Sequence, residues 1–183
     1  MRAPIILIAL AACALAGCSD AVERSVTKSV SEHAATPGQE WTMQIVGAGN
    51  EDAVFLVTGP AGQSAAARVA GGVSTLIGDT EAQGIMAVGQ AAMAADAPPE
   101  KVAITAPGFS LKVSADDTEA AGRGRVRINV GGVSVAVDGD DTNGDRGVVR
   151  IGGVNEAAAL KFIEDIDDLS PEVKAQMREK LGL

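Results

Sequence analysis

Apolar and polar residues alternate with a period of two over much of the chain beyond residue 40, which is the pattern of strands with one buried face. The run WTMQIV places Trp41, Met43 and Ile45 on one side, and AVFLVT follows a turn rich in Gly and Asn. The two runs predict a β-hairpin at the start of a folded domain.

Two later segments predict hairpins in a definite register. In KVAITAPGFSLKV, pairing across Pro107-Gly108 gives three apolar pairs on one face: Ala106 with Phe109, Ile104 with Leu111, and Val102 with Val113. Since L-Pro-Gly favours a type II turn, whose twist suits a tight hairpin poorly, a wider turn or a strand that changes sheet stays open as an alternative. In RVRINVGGVSVAV, a Gly131-Gly132 turn makes every inward position β-branched: Val130 with Val133, Ile128 with Val135, and Val126 with Val137.

A third strand, GVVRIG, returns after an acidic loop and continues this sheet. Its inward residues are Val149 and Ile151, and Val149 pairs with Val137. That pairing needs an odd number of loop residues, so a bulge or a wide loop is predicted rather than a tight turn. The opposite face then carries Arg125 directly across from Asp138.

A short pattern occurs three times, as VAGGVS, NVGGVS and RIGGVN, beginning at residues 69, 129 and 150. The unequal spacing excludes a solenoid with a fixed period. We interpret all three copies as reused turn sequences, because paired glycines adopt the left-handed conformations that tight turns require.

Helical spacing of apolar residues appears in the middle and at the end of the chain. Asp79 can cap a helix predicted within residues 79–97. One side of this helix is formed by Ile85, Met86, Gly89, Ala92 and Met93. Asn155 can cap EAAALKFIEDIDDL, and Ser170-Pro171 can start PEVKAQMREKL, which ends at Gly182. We expect this pair, residues 155–183, to pack on a β-rich domain of residues 41–154; a docking element for a partner is the alternative.

The predicted fold class is therefore α+β, mainly β: an antiparallel β-meander or small sandwich with a mid-chain helix and two C-terminal helices. The length of 183 residues fits one domain, and with three Phe, one Trp and no Tyr the core must consist of small aliphatic contacts. The net charge of −9 opposes binding to nucleic acid, which we exclude as a partner.

The first residues, MRAPIILIALAACALAGC, have the layout of a secretory signal, with Arg2 before an apolar run that is short for a membrane span. The last four of them, Leu15-Ala16-Gly17-Cys18, resemble the lipobox of bacterial lipoproteins. The resemblance implies a signal peptide of residues 1–17 that is cut before Cys18, and a lipid anchor on Cys18 that attaches the chain to a membrane of the cell envelope. Ser19 follows the cysteine and, by the same resemblance, favours the outer membrane.

Loss of the signal peptide would also remove Cys13, so the mature chain would contain no free thiol. Residues 18–40 are polar and rich in Ser and Thr, and we expect them to be a flexible tether. The only histidine, His33, lies in this segment, where rigid positioning for catalysis is not expected.

The acidic loop in VDGDDTNGDRG supplies the candidate metal ligands, which would suit calcium: Asp138, Asp140, Asp141 and Asp145. An EF-hand template starting at Asp138 fails, because Asn143 occupies the glycine position and Val149 occupies the position of the final glutamate. A solvated acidic turn is the alternative, and the sequence indicates no other cofactor.

Four arginines share the outward face of the predicted sheet, Arg123, Arg125, Arg127 and Arg150, and the last three are candidate anion-binding residues. Guanidinium groups suit the phosphates and carboxylates of envelope lipids, glycans or an envelope protein partner. The alternative is a set of charges that keeps the face soluble and is partly neutralised by Asp138.

The short Val-rich strands that end in Gly and Asp, such as GVSVAVDGD, resemble those of bacterial adhesin β-solenoid domains.

No residues are assigned to catalysis. Ser25-x-x-Lys28 matches a nucleophile motif by letters, but the accompanying SDN and KTG stretches are missing, as are GxSxG and HExxH. The sequence favours a lipid-anchored envelope protein that acts as a non-enzymatic binding or structural module. The alternatives are a calcium-dependent adhesin or a module that binds anionic glycans or lipids, and a hydrolase is less favoured.

Overall fold

The computed structural model describes residues 32–48, 52–94, 100–106, 108–115, 122–140 and 146–183. Within them, nine strands form one antiparallel sheet and three helices pack against it, which confirms the predicted class, α+β and mainly β. The elements are β1 (Trp41–Ala48), β2 (Asp52–Thr58), β3 (Ser64–Ala70), β4 (Val73–Ile77), α1 (Asp79–Ala94), β5 (Glu100–Ala106), β6 (Phe109–Ala115), β7 (Arg123–Val130), β8 (Val133–Asp140), β9 (Arg146–Val154), α2 (Glu156–Glu164) and α3 (Pro171–Leu181).

The sheet consists of two meanders joined side by side. Strands β1–β4 form the first and β5–β9 the second, and the spatial order is β4-β3-β2-β1-β9-β8-β7-β6-β5. The first and last strands therefore lie next to each other in the middle of the sheet, where Met43 pairs with Ile151 and Ile45 with Val149.

The predicted hairpin registers are confirmed residue by residue. Ala106 pairs with Phe109 and Ile104 with Leu111, so β5 and β6 are neighbours in one sheet up to their ends, and Ile128 pairs with Val135 in the β7–β8 hairpin. Gly131 and Gly132 both have left-handed φ angles, 56° and 91°, as a tight two-residue hairpin turn requires. Val137 pairs with Val149 as predicted, and the loop between Asp140 and Arg146 lies outside the described residues.

The interpretation of all three GG repeats as turns is wrong for one copy. Gly71-Gly72 and Gly131-Gly132 form hairpin turns, but Gly152 and Gly153 lie inside β9. The register between β1 and β9 shifts at this level, and Gly153 takes a φ of 75°. A Cβ atom on Gly153 would lie 2.1 Å from the carbonyl oxygen of Gly132, so close approach of two backbones requires glycine there.

The two faces of β1–β4 are covered by different helices. Helices α2 and α3 lie on one face, where Trp41, Phe55, Ile163 and Met177 belong to one core cluster. Helix α1 lies on the opposite face with a second cluster that includes Val54, Leu56 and Met86. The continuous burial of residues 54–57 in β2 follows from this double cover.

Helix α1 also reaches the junction with the second meander. Gly89 approaches the sheet so closely that a Cβ atom there would lie 2.8 Å from Val46 Cγ1 and 3.5 Å from Val148 Cγ2. Of the predicted apolar side, Met86 is buried and Ile85 is partly buried. The side chains of Ala92 and Met93 lie outside the described residues.

Both C-terminal helices begin where the sequence predicts and α3 also ends there, but α2 ends at Glu164 rather than at the predicted Leu169. The Asn155 side chain accepts a hydrogen bond from the amide of Ala158 at 2.9 Å, and the Ser170 hydroxyl accepts one from the amide of Val173 at 3.3 Å. Gly182 ends α3 with a left-handed φ of 74°. Ile163 and Met177 are fully buried, so the apolar sides of both helices are used in packing on the chain itself.

The described part of the predicted tether is attached to the sheet. Ala34 forms a β-bridge with Val154, and the amide of Ala35 donates to Gly153 O at 2.9 Å. The exposed His33 accepts a hydrogen bond from the amide of Asn155 through its carbonyl oxygen, at 2.8 Å. The chain thus joins the domain at the end of β9, and residues 18–31 lie outside the described residues.

Candidate functional site

The second meander presents charged side chains on the face that α1 shares. Because alternate residues of a strand share a face, Arg123, Arg125 and Arg127 project from β7 towards Asp138 and Asp140 of β8. We call these five residues the Arg–Asp cluster. The Arg123 Nε donates to Asp140 Oδ2 at 3.1 Å, and the Asp140 side chain is only 9% exposed.

Asp138 is the centre of this cluster. Its carboxylate accepts from Arg125 Nε, which stands directly across the hairpin, and from Arg127 Nη2 at 2.7 and 2.8 Å. The second terminal nitrogen of Arg127 donates to the carbonyl oxygen of Val137 at 3.2 Å. Such charge-assisted bonds are among the stronger ones in proteins, and two guanidinium groups on one carboxylate leave a local excess of positive charge.

The sequence predicted the common face of the arginines and the Arg125–Asp138 pair, but not the bonds from Arg127. Arg127 faces Ala136 in the register, and Asp138 is its diagonal neighbour. Diagonal neighbours on one face lie within reach of long side chains, so this signal was available in the sequence.

Arg150 differs from the other two candidate anion-binding residues. It lies on the same face in line with Arg127, with Ala136 between them. Its side chain is exposed and forms no ion pair with any residue that the structure describes. Of the three predicted residues, Arg150 thus has the guanidinium group most available to a ligand.

The candidate calcium ligands do not converge in the described part of the chain. The carboxylates of Asp138 and Asp140 accept bonds from arginines, and Asp141 and Asp145 lie outside the described residues. No group of three or more His, Cys, Asp and Glu residues that could hold a metal ion occurs among the residues described. A cation at Asp138 would have to displace two guanidinium groups.

The opposite face of the same strands is apolar. Two of its rows run across all five strands, and the members of these two rows outside both core clusters are Val102, Ile104, Leu111, Val113, Val126, Ile128, Val137 and Val149. We call these eight residues the aliphatic face. Ile104 is 41% exposed and most others are half-buried, whereas Leu111 is shielded at 4% between Ile104 and Ile128.

This face was predicted to point inward, and its pairing is correct, but its cover is partial. Helices α2 and α3 pack on the same side of the sheet over β1, β3 and β4, which belong to the first meander. At the far end of the face, Gly124 pairs with Gly139, and a Cβ atom on either would meet nothing within 4 Å. Open space therefore lies above this part of the second meander in the described structure.

A separate polar contact joins the helices to each other. Lys180 of α3 donates to Asp79 Oδ1 of α1 at 3.2 Å. A hydrogen bond from the Ser64 side chain, together with Lys180, lowers the pKa of Asp79 below its usual value, and burial opposes this shift. The contact stabilises the start of α1 against the sheet edge.

Neither a scan against protein-family models nor a search of curated proteins finds a match to this chain. No helix in the described residues is long and apolar enough to cross a bilayer. Cys18, the predicted lipidation residue, lies outside the described part.

Proposed function

We propose that this chain is a lipid-anchored protein of the bacterial cell envelope, attached through Cys18, in which the folded domain acts by binding rather than by catalysis. The observation that carries the anchor is Leu15-Ala16-Gly17-Cys18 directly after a basic residue and an apolar run. Several acyl chains on one residue give stable attachment, which a single chain does not. Ser19 after the cysteine favours the outer membrane.

The place where the chain joins the domain fits this proposal. Cys18 lies fourteen positions before Glu32, where the chain attaches next to the end of β9. Fully extended, this segment spans at most about 50 Å. The anchor would therefore hold the domain beside the bilayer, and ligands in or on the membrane would be within reach.

Binding by the second meander is supported by its two contrasting surfaces. One carries the Arg–Asp cluster and Arg150, and the other carries the aliphatic face. The eight residues of the aliphatic face form a contiguous apolar patch beside the core clusters, and such patches are characteristic of interaction surfaces.

Growth with labelled palmitate tests the anchor. We expect the wild-type chain and a Cys13→Ala variant to incorporate label and to fractionate with the outer membrane. The Cys18→Ala variant should do neither. Since Cys13 lies in the segment that is removed, it is a matched control for loss of a cysteine. Absence of label from the wild-type chain would refute the anchor.

A second candidate function is binding of anionic glycans or lipid headgroups, and Arg150 favours it because its guanidinium is exposed and forms no ion pair with a described residue. Arg150→Gln should reduce co-sedimentation with anionic envelope polymer, and the triple change of Arg125, Arg127 and Arg150 to Gln should abolish it. Lys161→Gln, an equal charge loss on the exposed side of α2, is the control. Unchanged sedimentation of the triple variant would count against this function.

A further inference from the structure

The chemistry of the aliphatic face is unusually uniform. The other described residues of β5–β9 on the same side of the sheet are Val, Ile, Ala, Gly or Phe109. The face thus offers no charge and no side-chain hydrogen bond. Only an occupant that needs neither matches it.

The dimensions of the face argue against a protein partner. In the next row on this side Val130 and Val133 are each only 8% exposed, so the accessible part of the sheet is the two rows of the aliphatic face. Two rows across five strands cover roughly 350 Å² at the usual strand and residue spacings. A stable protein interface buries about 800 Å² on each partner, so a second copy of the chain would cover less than half of what it needs. The face also lacks Trp, Tyr and Arg, the residue types that dominate binding energy between proteins.

The same area suits a hydrocarbon chain. Burying apolar surface contributes about 25 cal/mol per Å², and burying one methylene group contributes about 0.8 kcal/mol. An area of about 350 Å² therefore corresponds to about a dozen methylene groups. We propose that the aliphatic face binds a fatty acyl chain of a membrane phospholipid. The inference rests on the proposed function in one respect, that attachment at Cys18 brings the face beside the bilayer and raises the local lipid concentration.

Photochemical labelling tests this proposal on the full chain. The lipidated protein is reconstituted into vesicles of phosphatidylethanolamine and phosphatidylglycerol that contain a trace of phospholipid with a diazirine in one acyl chain. After irradiation, tryptic peptides are mapped by mass spectrometry. We expect adducts on residues 102–112 and 128–146, which carry the centre of the face.

Two substitutions on neighbouring residues of β7 are the matched pair. Ile128→Asp places a carboxylate on the aliphatic face, and Asn129→Asp places one on the opposite face. We expect Ile128→Asp to reduce adducts on these peptides at least about tenfold, which corresponds to about 1.4 kcal/mol of binding free energy, and Asn129→Asp to leave them unchanged. Val126→Ser, a milder change on the same face, should also reduce them, and circular dichroism checks that each variant is folded.

The outcomes separate this inference from the proposed function. Adducts confined to residues 18–24 would show that the chain is anchored but that the aliphatic face is unoccupied. This result would overturn the acyl-chain inference and leave the proposed function intact. A chain that carries no anchor would refute the proposed function. In that case the unlipidated chain is mixed with the same vesicles, and adducts on residues 128–146 that Ile128→Asp removes would still support the face. Equal losses in Ile128→Asp and Asn129→Asp would overturn it.

Discussion

Arg127 and Asp138 are joined by two hydrogen bonds, at 2.7 and 2.8 Å, although each faces another residue in the register of the β7–β8 hairpin. Arg125 occupies the position directly opposite Asp138 and bonds to the same carboxylate. One carboxylate thus orients two guanidinium groups on the face that carries Arg150. The arginines of β7 are therefore part of the fold as well as candidates for ligand binding.

Asp138→Asn should lower the free energy of unfolding by about 1–3 kcal/mol, because two partly buried guanidinium groups lose their charged acceptor. Urea denaturation measures the change. Asp52→Asn is the control: Asp52 and Arg68 also pair across neighbouring strands, at 3.7 Å, but their side chains are 50% and 45% exposed. We expect an effect below about 1 kcal/mol there. Equal losses in the two variants would show that the Arg–Asp cluster adds no more than a surface pair.

Calcium should bind weakly or not at all, because the carboxylates of Asp138 and Asp140 already accept bonds from arginines. We expect titration calorimetry at millimolar calcium to give no heat, and the melting temperature to stay unchanged. A specific site would instead stabilise the folded state in proportion to the logarithm of calcium concentration. A rise in melting temperature that Asp141→Asn or Asp145→Asn removes would restore the calcium prediction.

Gly139→Ala and Gly124→Ala should each stabilise the fold by about 0.5–1 kcal/mol, because neither glycine has a positive φ and a Cβ atom would enter open space. Gly153→Ala should destabilise it by about 1–3 kcal/mol, since its φ of 75° and the Gly132 carbonyl both oppose a side chain. Thermal and urea denaturation compare the three. A loss of stability in Gly139→Ala would indicate that something covers that end of the aliphatic face.

Stability should fall in acid partly through Asp79. The pKa of this carboxyl is lowered in the folded state, chiefly by the hydrogen bond from Ser64 and also by Lys180. Its contribution is therefore complete above the unfolded pKa, which is about 4, and is lost as the pH falls below that value through the folded pKa. Unfolding measured between pH 2.5 and pH 7 should show wild type more stable than Asp79→Asn at neutral pH, with the difference vanishing in acid. A difference that is constant with pH would contradict this.

Local structure could be predicted from the sequence to the level of single residue pairs. The alternation of Val and Ile around Gly131-Gly132 determines the β7–β8 register, because a slip of one residue would expose every inward side chain. The caps at Asn155 and Ser170 were equally visible, since their side chains act within three residues along the chain.

Long-range pairing could not be predicted in the same way. The contact between β1 and β9 joins residues that are between 98 positions (Ala48 and Arg146) and 113 positions (Trp41 and Val154) apart, and nothing in either strand alone indicates its neighbour. The placement of α1 opposite α2 and α3 had one sequence signal, the unbroken apolar run of residues 54–57. Such a run indicates burial on both faces, whereas alternation indicates burial on one.

The sequence predicted which residue types form the candidate site, but not which of their side chains are accessible to a ligand. The shared face of Arg125, Arg127 and Arg150 follows from the period of two. That Asp138 binds two of them depends on side-chain reach, and the partial cover of the aliphatic face depends on where distant helices pack.

The central position of β9 has a consequence for biogenesis. Because β1 acquires its second neighbour only when the last strand is present, the two meanders cannot join until nearly the whole chain has been synthesised. Pairing over so long a separation is slow, since the loop must close before its contacts form. The proposed function requires the chain to cross a membrane as an extended polypeptide, and the delay that this topology imposes on folding would favour such a crossing.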